Sequence, residues 1–186
     1  MTAYAAPRTL AEALAALAAT PGAVPVAGGT DLVVGVRQGR RGFPPGLVAI
    51  HGVEELRGIG AAPGGGLRLG ALASHAQVMA HPVVRSGYTA LADASALVGS
   101  PATRGTGTVG GNLANASPAM ELGAPLLVHG ASVALAGPGG GARALPLAEF
   151  LVGPGRTAAA PGELVTGVEL PAAAARAGSA YVRLQY

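Results

Sequence analysis

At 186 residues the chain is long enough to bury a substantial core, as one domain or as two small ones. Half of it is hydrophobic, much of that alanine, alongside 31 glycines and only 3% aromatic and 11% charged residues. All 12 basic residues are arginine, the net charge is +3 and cysteine is absent, which excludes disulfides, cysteine-held zinc and iron–sulfur clusters ligated by this chain.

Residues 2–6 fit a short strand. Thr9 and Glu12 then form a capping box, with Leu10, Ala13, Leu14 and Leu17 on one helical face. This predicts an amphipathic helix over 9–20, stopped by Pro21-Gly22. A leader peptide does not fit, because Glu12 falls inside its would-be apolar region. Val24-Pro-Val26 reads as a strand, and Thr30 or Asp31 as the cap of a helix over 31–38. Leu47–Ile50 is a buried-type strand, followed by a helical turn at Glu54–Leu56. Together these predict a first subdomain over residues 1–60.

Pro63–Gly66 is a turn, either a hairpin or the seam to a second subdomain over 61–177. Leu67–Ala71 alternates as a strand should, and Ser74 caps a helix through His81. Pro82 opens another helix reaching Val98. Beyond the centre of the chain come a helix over 120–129 and strands at 131–136 and 142–145. A helical turn at 146–150 and a strand at 163–170 follow. Residues 179–184 begin a further strand, so 178–186 reads as the start of a truncated C-terminal domain.

No apolar run reaches the ~20 residues of a membrane span, and no basic run is interleaved with aromatics as nucleic-acid binding would require. His51, His75, His81 and His129 lack ligand spacing, so no metal site is expected, and His75 reads as structural. A cytoplasmic protein is the expectation.

Two stretches of small residues stand out. Pro25-Val-Ala-Gly-Gly-Thr-Asp-Leu32 and Ala102–Pro118 are poor core material, but suit a backbone that approaches a ligand closely. Successive N–H groups in such loops cradle anions, phosphate above all. On this reading a side chain at Gly110 or Gly111 would occupy the space of a diphosphate. Gly105-Thr-Gly107-Thr-Val-Gly110 matches GxGxxG literally, yet no strand precedes it and position 130 is glycine instead of an acid. The dinucleotide fingerprint is therefore rejected, and the lysine of a P-loop is missing as well.

In order along the chain stand Val26–Leu32, Gly70-Ala-Leu-Ala-Ser-His75, Arg104 with Thr108-Val-Gly-Gly-Asn-Leu-Ala-Asn-Ala-Ser-Pro118, and Phe150 with Arg156-Thr157. Gly162–Thr166 and Ser179-Ala-Tyr181 complete the set. This set resembles the FAD-binding (medium) subunit of the molybdenum hydroxylases, the carbon monoxide dehydrogenase and xanthine dehydrogenase group. The resemblance implies an α+β fold of the vanillyl-alcohol-oxidase and p-cresol-methylhydroxylase (PCMH) type, with FAD between two α/β subdomains. It implies that Val26, Ala27, Gly28, Gly29, Thr30, Asp31 and Leu32 hold the FAD diphosphate through backbone N–H groups, together with Thr108, Val109, Gly110, Gly111 and Asn112. Asn115, Ser117 and Glu121 would surround the adenosine and its ribose; Val98, Ala159 and Arg183 would lie near the flavin or its phosphates. Glu121 replaces the usual aspartate, Ala159 a leucine, Gly105 an asparagine and Arg183 a lysine, and the family's C-terminal domain is lacking.

The function so implied is that of an oxidoreductase subunit with no catalytic acid, base or nucleophile of its own. It would pass electrons from 2Fe–2S clusters in a small partner subunit to FAD and on to an external acceptor, with molybdopterin in a large partner subunit. The alternatives are a non-catalytic flavin-binding scaffold of a multisubunit complex, or another flavin reductase on the same fold.

Overall fold

The computed structural model describes residues 3–184. The first layer holds β1 (Ala3–Ala5), α1 (Leu10–Ala19), β2 (Val24–Val26), α2 (Thr30–Arg37) and β3 (Gly46–Ala49). β1 and β2 flank β3, both parallel to it. α1 starts as its residues demand: Thr9 Oγ1 accepts the Glu12 N–H at 3.2 Å, while Glu12 accepts the N–H groups of Arg8 and Thr9. Ala13, Leu14 and Leu17 are buried on its inner face, in the same core as Val48 and Ile50. α2 differs from expectation at its start. Its cap is Gly29 at φ 69°, with no side-chain hydrogen bond, and Thr30 and Asp31 lie within the helix. The chain turns sharply off β2 there, through a left-handed conformation that glycine adopts without a Cβ penalty.

Short helical turns at Ile50–Gly52 and Glu54–Leu56 lead to β4 (Ile59–Ala61) and β5 (Leu67–Gly70), a hairpin closed over Pro63–Gly66. Ile59 pairs with Leu69 and Gly60 with Arg68, so the second sheet begins ahead of the border expected at 60. Local composition does not mark so short an edge strand.

α3 (His75–Ala80) carries a capping box between Ser74 and Gln77. The helix expected from Pro82 to Val98 is broken in two, α4 (Pro82–Gly87) and α5 (Thr89–Ala96). Tyr88 makes the break: it leaves helical geometry, buries its ring and donates its hydroxyl to the Pro171 carbonyl at 2.6 Å. The glycine-rich centre, expected as a loop, is largely helical, as α6 (Pro101–Thr106) and α7 (Val109–Asn115). Then come α8 (Gly123–Val128), β6 (Ser132–Ala136), β7 (Ala142–Pro146), α9 (Leu147–Phe150), β8 (Leu151–Gly153), β9 (Arg156–Thr157) and β10 (Leu164–Leu170).

The second sheet is antiparallel throughout, in the order β4-β5-β10-β6-β7. Leu67, Leu69, Val133, Leu135 and Val168 from its strands are shielded from solvent, as are Leu113, Leu126 and Phe150 from α7, α8 and α9. The strand expected over 179–184 is not formed. That segment hydrogen-bonds to α5 instead: Ser179 Oγ accepts the Ala90 N–H at 3.0 Å and Thr89 donates its hydroxyl to the Ser179 carbonyl.

Candidate functional site

A cleft of about 780 Å³ separates α2 from the α6–α7 region, within the usual size of small-molecule and cofactor sites. Its first wall is the continuous run Val26, Ala27, Gly28, Gly29, Thr30, Asp31 and Leu32. Facing it are Val98, Thr108, Gly111, Asn112, Asn115, Ser117 and Glu121. Thus the two glycine-rich segments, far apart in sequence, line one space. They touch at Gly28, where a Cβ would overlap the Thr106 carbonyl. Glycine is required there for close approach of backbone to backbone.

The two walls offer different chemistry. In α2 the N–H groups of Thr30, Asp31 and Leu32 form the first turn, and no side chain or carbonyl among the described residues accepts from them. Open amides with a helix dipole behind them bind anions. On the opposite wall the amides of Val109, Gly110, Gly111 and Asn112 are already used. Val109 N–H donates to Ala73 O and Gly110 N–H to Ala71 O, both at 2.9 Å. Gly111 N–H donates to Thr108 Oγ1 at 3.1 Å and Asn112 N–H to Thr108 O at 2.9 Å. Of the N–H groups expected from the second segment, only that of Thr108 has no acceptor among the described residues. The second wall presents side chains, and Asn112 Oδ1 is buried without a partner, an acceptor that a ligand donor would satisfy.

Four of the expected residues do not line the cleft. Val109 and Gly110 are buried behind it, and a Cβ on Gly110 would lie 2.7 Å from Ala71 Cβ. Gly110 is thus small because α7 abuts the segment after β5, not because a ligand sits on it. Ala159 follows β9 and packs against the core. Arg183 stands behind Glu121, donating to its carboxylate at 3.0 Å and to the Leu97 carbonyl at 3.0 Å.

Two further lining residues, His75 and Arg41, lie outside the expected site set. His75, read as structural, is 2% exposed and lines the cleft beside Gly107. Its Nδ1 has no partner, and burial pulls its pKa down to about 4, so it is neutral near pH 7. Arg41 also lines the cleft, brought there by a loop whose course local pattern does not announce. Among the described residues no group of acidic and histidine side chains is arranged to hold a metal ion.

The family model for the FAD binding domain in molybdopterin dehydrogenase matches residues 1–173. The chain belongs to this family. It is 31% identical over 163 residues to the xanthine dehydrogenase FAD-binding subunit of Escherichia coli, covering 88% of this chain and 55% of that one. With the nicotinate dehydrogenase FAD-subunit of Eubacterium barkeri it shares 34% identity over 184 residues, 96% of this chain and 61% of the relative. Among solved structures, the carbon monoxide dehydrogenase of Hydrogenophaga pseudoflava lacking the Mo-pyranopterin moiety superposes with a TM-score of 0.92 at 30% identity. That match covers 99% of this chain and 63% of its counterpart. The chain thus spans between about half and two thirds of the length of these family members. The family's fold is the α+β arrangement described above, and its cofactor is FAD.

Proposed function

We propose that the chain is the flavin-carrying part of a molybdopterin-dependent dehydrogenase in the cytoplasm, with FAD in the cleft between its two sheets. The first subdomain then ends before residue 59 and the second runs to about residue 177. The observation that carries this reading is the opposition of a helix start with open N–H groups to a wall of hydroxyl and amide side chains. The amides of Thr30, Asp31 and Leu32 suit the diphosphate, with Gly29 turning the chain so that they open on the cleft. Asn112, Asn115, Ser117 and Glu121 suit the ribityl and ribose hydroxyls, and Asn112 Oδ1 needs such a donor. Val98 offers an apolar contact, Val109 and Gly110 hold α7 in place, and Arg183 orients Glu121.

Bound FAD supplies the capacity to take up and give out electrons. The chain's own part is to bind it, fix its direction and exclude water. Electrons arrive, on this proposal, from 2Fe–2S clusters in a small partner subunit, themselves fed by molybdopterin chemistry in a large one, and leave to an external acceptor. The names of the relatives, which are dehydrogenase subunits, support an oxidoreductase of this kind.

The test is the visible absorption spectrum of the purified chain, with heat release and identification of the chromophore. Release of FAD is the expected outcome. Release of FMN, or failure to take up added FAD by protein that remains folded, overturns the proposal.

A further inference from the structure

Arg41 is the one cation lining the cleft among the described residues, and neither the glycine-rich segments nor the capping patterns point to it. Its position is set by the end of α2. The N–H groups of Arg40 and Arg41 both donate to the Gly35 carbonyl, at 2.9 and 3.3 Å, folding the loop back onto the helix. The side chain then lies across Gly35: a Cβ there would sit 3.2 Å from Arg41 Cγ, 3.3 Å from Cδ and 3.5 Å from Nε. Gly35 follows Asp31 by four residues, so both occupy one face of α2, a single turn of about 5.4 Å apart. Arg41 thereby lines the same cleft as Thr30, Asp31 and Leu32, whose amides are open.

No carboxylate among the described residues pairs with Arg41. Asp31 itself stands in the first turn and opposes any anion brought there. A helix start carrying a carboxylate needs a compensating cation if it is to hold a group with two negative charges. A second sign of an expected ligand is His75, almost wholly buried yet lining the same cleft with Nδ1 unsatisfied.

Building on the FAD reading above, we infer that Arg41 is a positioning residue for the anionic diphosphate of the ligand, balancing Asp31 and drawing the phosphates to the start of α2. Gly35 is part of the device, because without a Cβ it lets the arginine stem lie close against the helix.

The experiment is a flavin-fluorescence titration of the purified chain with FAD, repeated from low to high salt. It compares the native protein with Arg41→Gln, Arg41→Lys and, as a surface control, Arg40→Gln. Arg41→Gln is expected to weaken FAD binding about tenfold at low salt, with the gap closing as salt screens the charge. Arg41→Lys should recover most of the affinity, and Arg40→Gln should match the native chain. Equal affinities of native and Arg41→Gln protein at low salt overturn the inference. So does a loss that is independent of salt and not rescued by lysine, since that marks a packing role. If the native chain takes up no FAD at all, it is the FAD reading that fails.

Discussion

Gly28, Gly110 and Gly111 are glycines for three different reasons, and substitutions separate them. At Gly28 a methyl group meets the rigid Thr106 carbonyl, and at Gly110 it meets Ala71 Cβ at 2.7 Å and Ala71 O at 2.9 Å. Gly28→Ala and Gly110→Ala are each expected to cost about 1–3 kcal/mol or more, as overpacking does. At Gly111 the only neighbour of a new Cβ is Thr108 Oγ1 at 3.0 Å. There the better helix propensity of alanine offsets a strained cap, and Gly111→Ala should stay within about 1 kcal/mol of the native chain. Denaturant titration of the three variants checks the order; Gly111→Ala falling as far as the others would refute it. The sequence expects all three to be kept small for a ligand; the structure puts a protein neighbour against Gly28 and Gly110 and leaves Gly111 far less crowded. Only the tertiary neighbour distinguishes a ligand from a backbone.

His75 belongs to the same scale. Burial lowers its pKa from 6.5 to about 4, so the unfolded chain binds this proton more readily than the folded one. The linkage makes stability rise with pH. The favourable term is complete above pH 6.5, declines as pH falls below it, and is exhausted near pH 4. Unfolding free energies at pH 7 and pH 5 should therefore differ less in His75→Gln than in the native protein. An unchanged difference would show that some other group carries the acid sensitivity.

Among the elements, those with local signals were legible and those shaped by distant partners were not. α1 has its capping box within four residues and its apolar face in the spacing of leucines, and the strand pair β6–β7 has a glycine-rich turn between apolar runs. α6 and α7 have neither. Glycine, threonine and asparagine disfavour a long helix there, and the fold sustains two short ones by capping each with a hydroxyl. Ser100 Oγ accepts the Thr103 N–H at 3.2 Å, and Thr108 Oγ1 accepts that of Gly111. The carbonyls of Ala71 and Ala73, more than thirty residues earlier, take up the N–H groups of Gly110 and Val109. No window of sequence contains that arrangement. Thr108→Ala removes the cap of α7 from a nearly buried site, and a loss of about 1 kcal/mol is expected, with Thr108→Ser retaining most of it. A serine variant as unstable as the alanine would place the value of Thr108 in its methyl group. The failure of the predicted strand at 179–184 has the same origin: alternation in sequence is a strand only where a sheet edge receives it, and Ser179 meets the start of α5 instead.

For the molecule as a whole, the decisive feature is that the cleft belongs to neither sheet alone. The first wall is the β2–α2 connection of the parallel layer, and the second is α7, packed on β5 and β10 of the antiparallel one. A ligand in that space binds only when both layers are folded and apposed, so its binding energy adds to the stability of the whole. At a hundred times its dissociation constant, FAD should raise the unfolding free energy by about 2.7 kcal/mol. At roughly 2–4 °C per kcal/mol for a chain of this size, the melting temperature should rise by about 5–11 °C in a single cooperative transition. Amide exchange provides the sharper discrimination. Protection should increase together in residues 30–32, whose amides are open at the cleft, and in residues 109–115, whose amides are bonded within the protein in the helix that forms the other wall. Protection confined to one of these runs would mean that FAD sits on a single layer, and the cleft would lose its standing as the cofactor site.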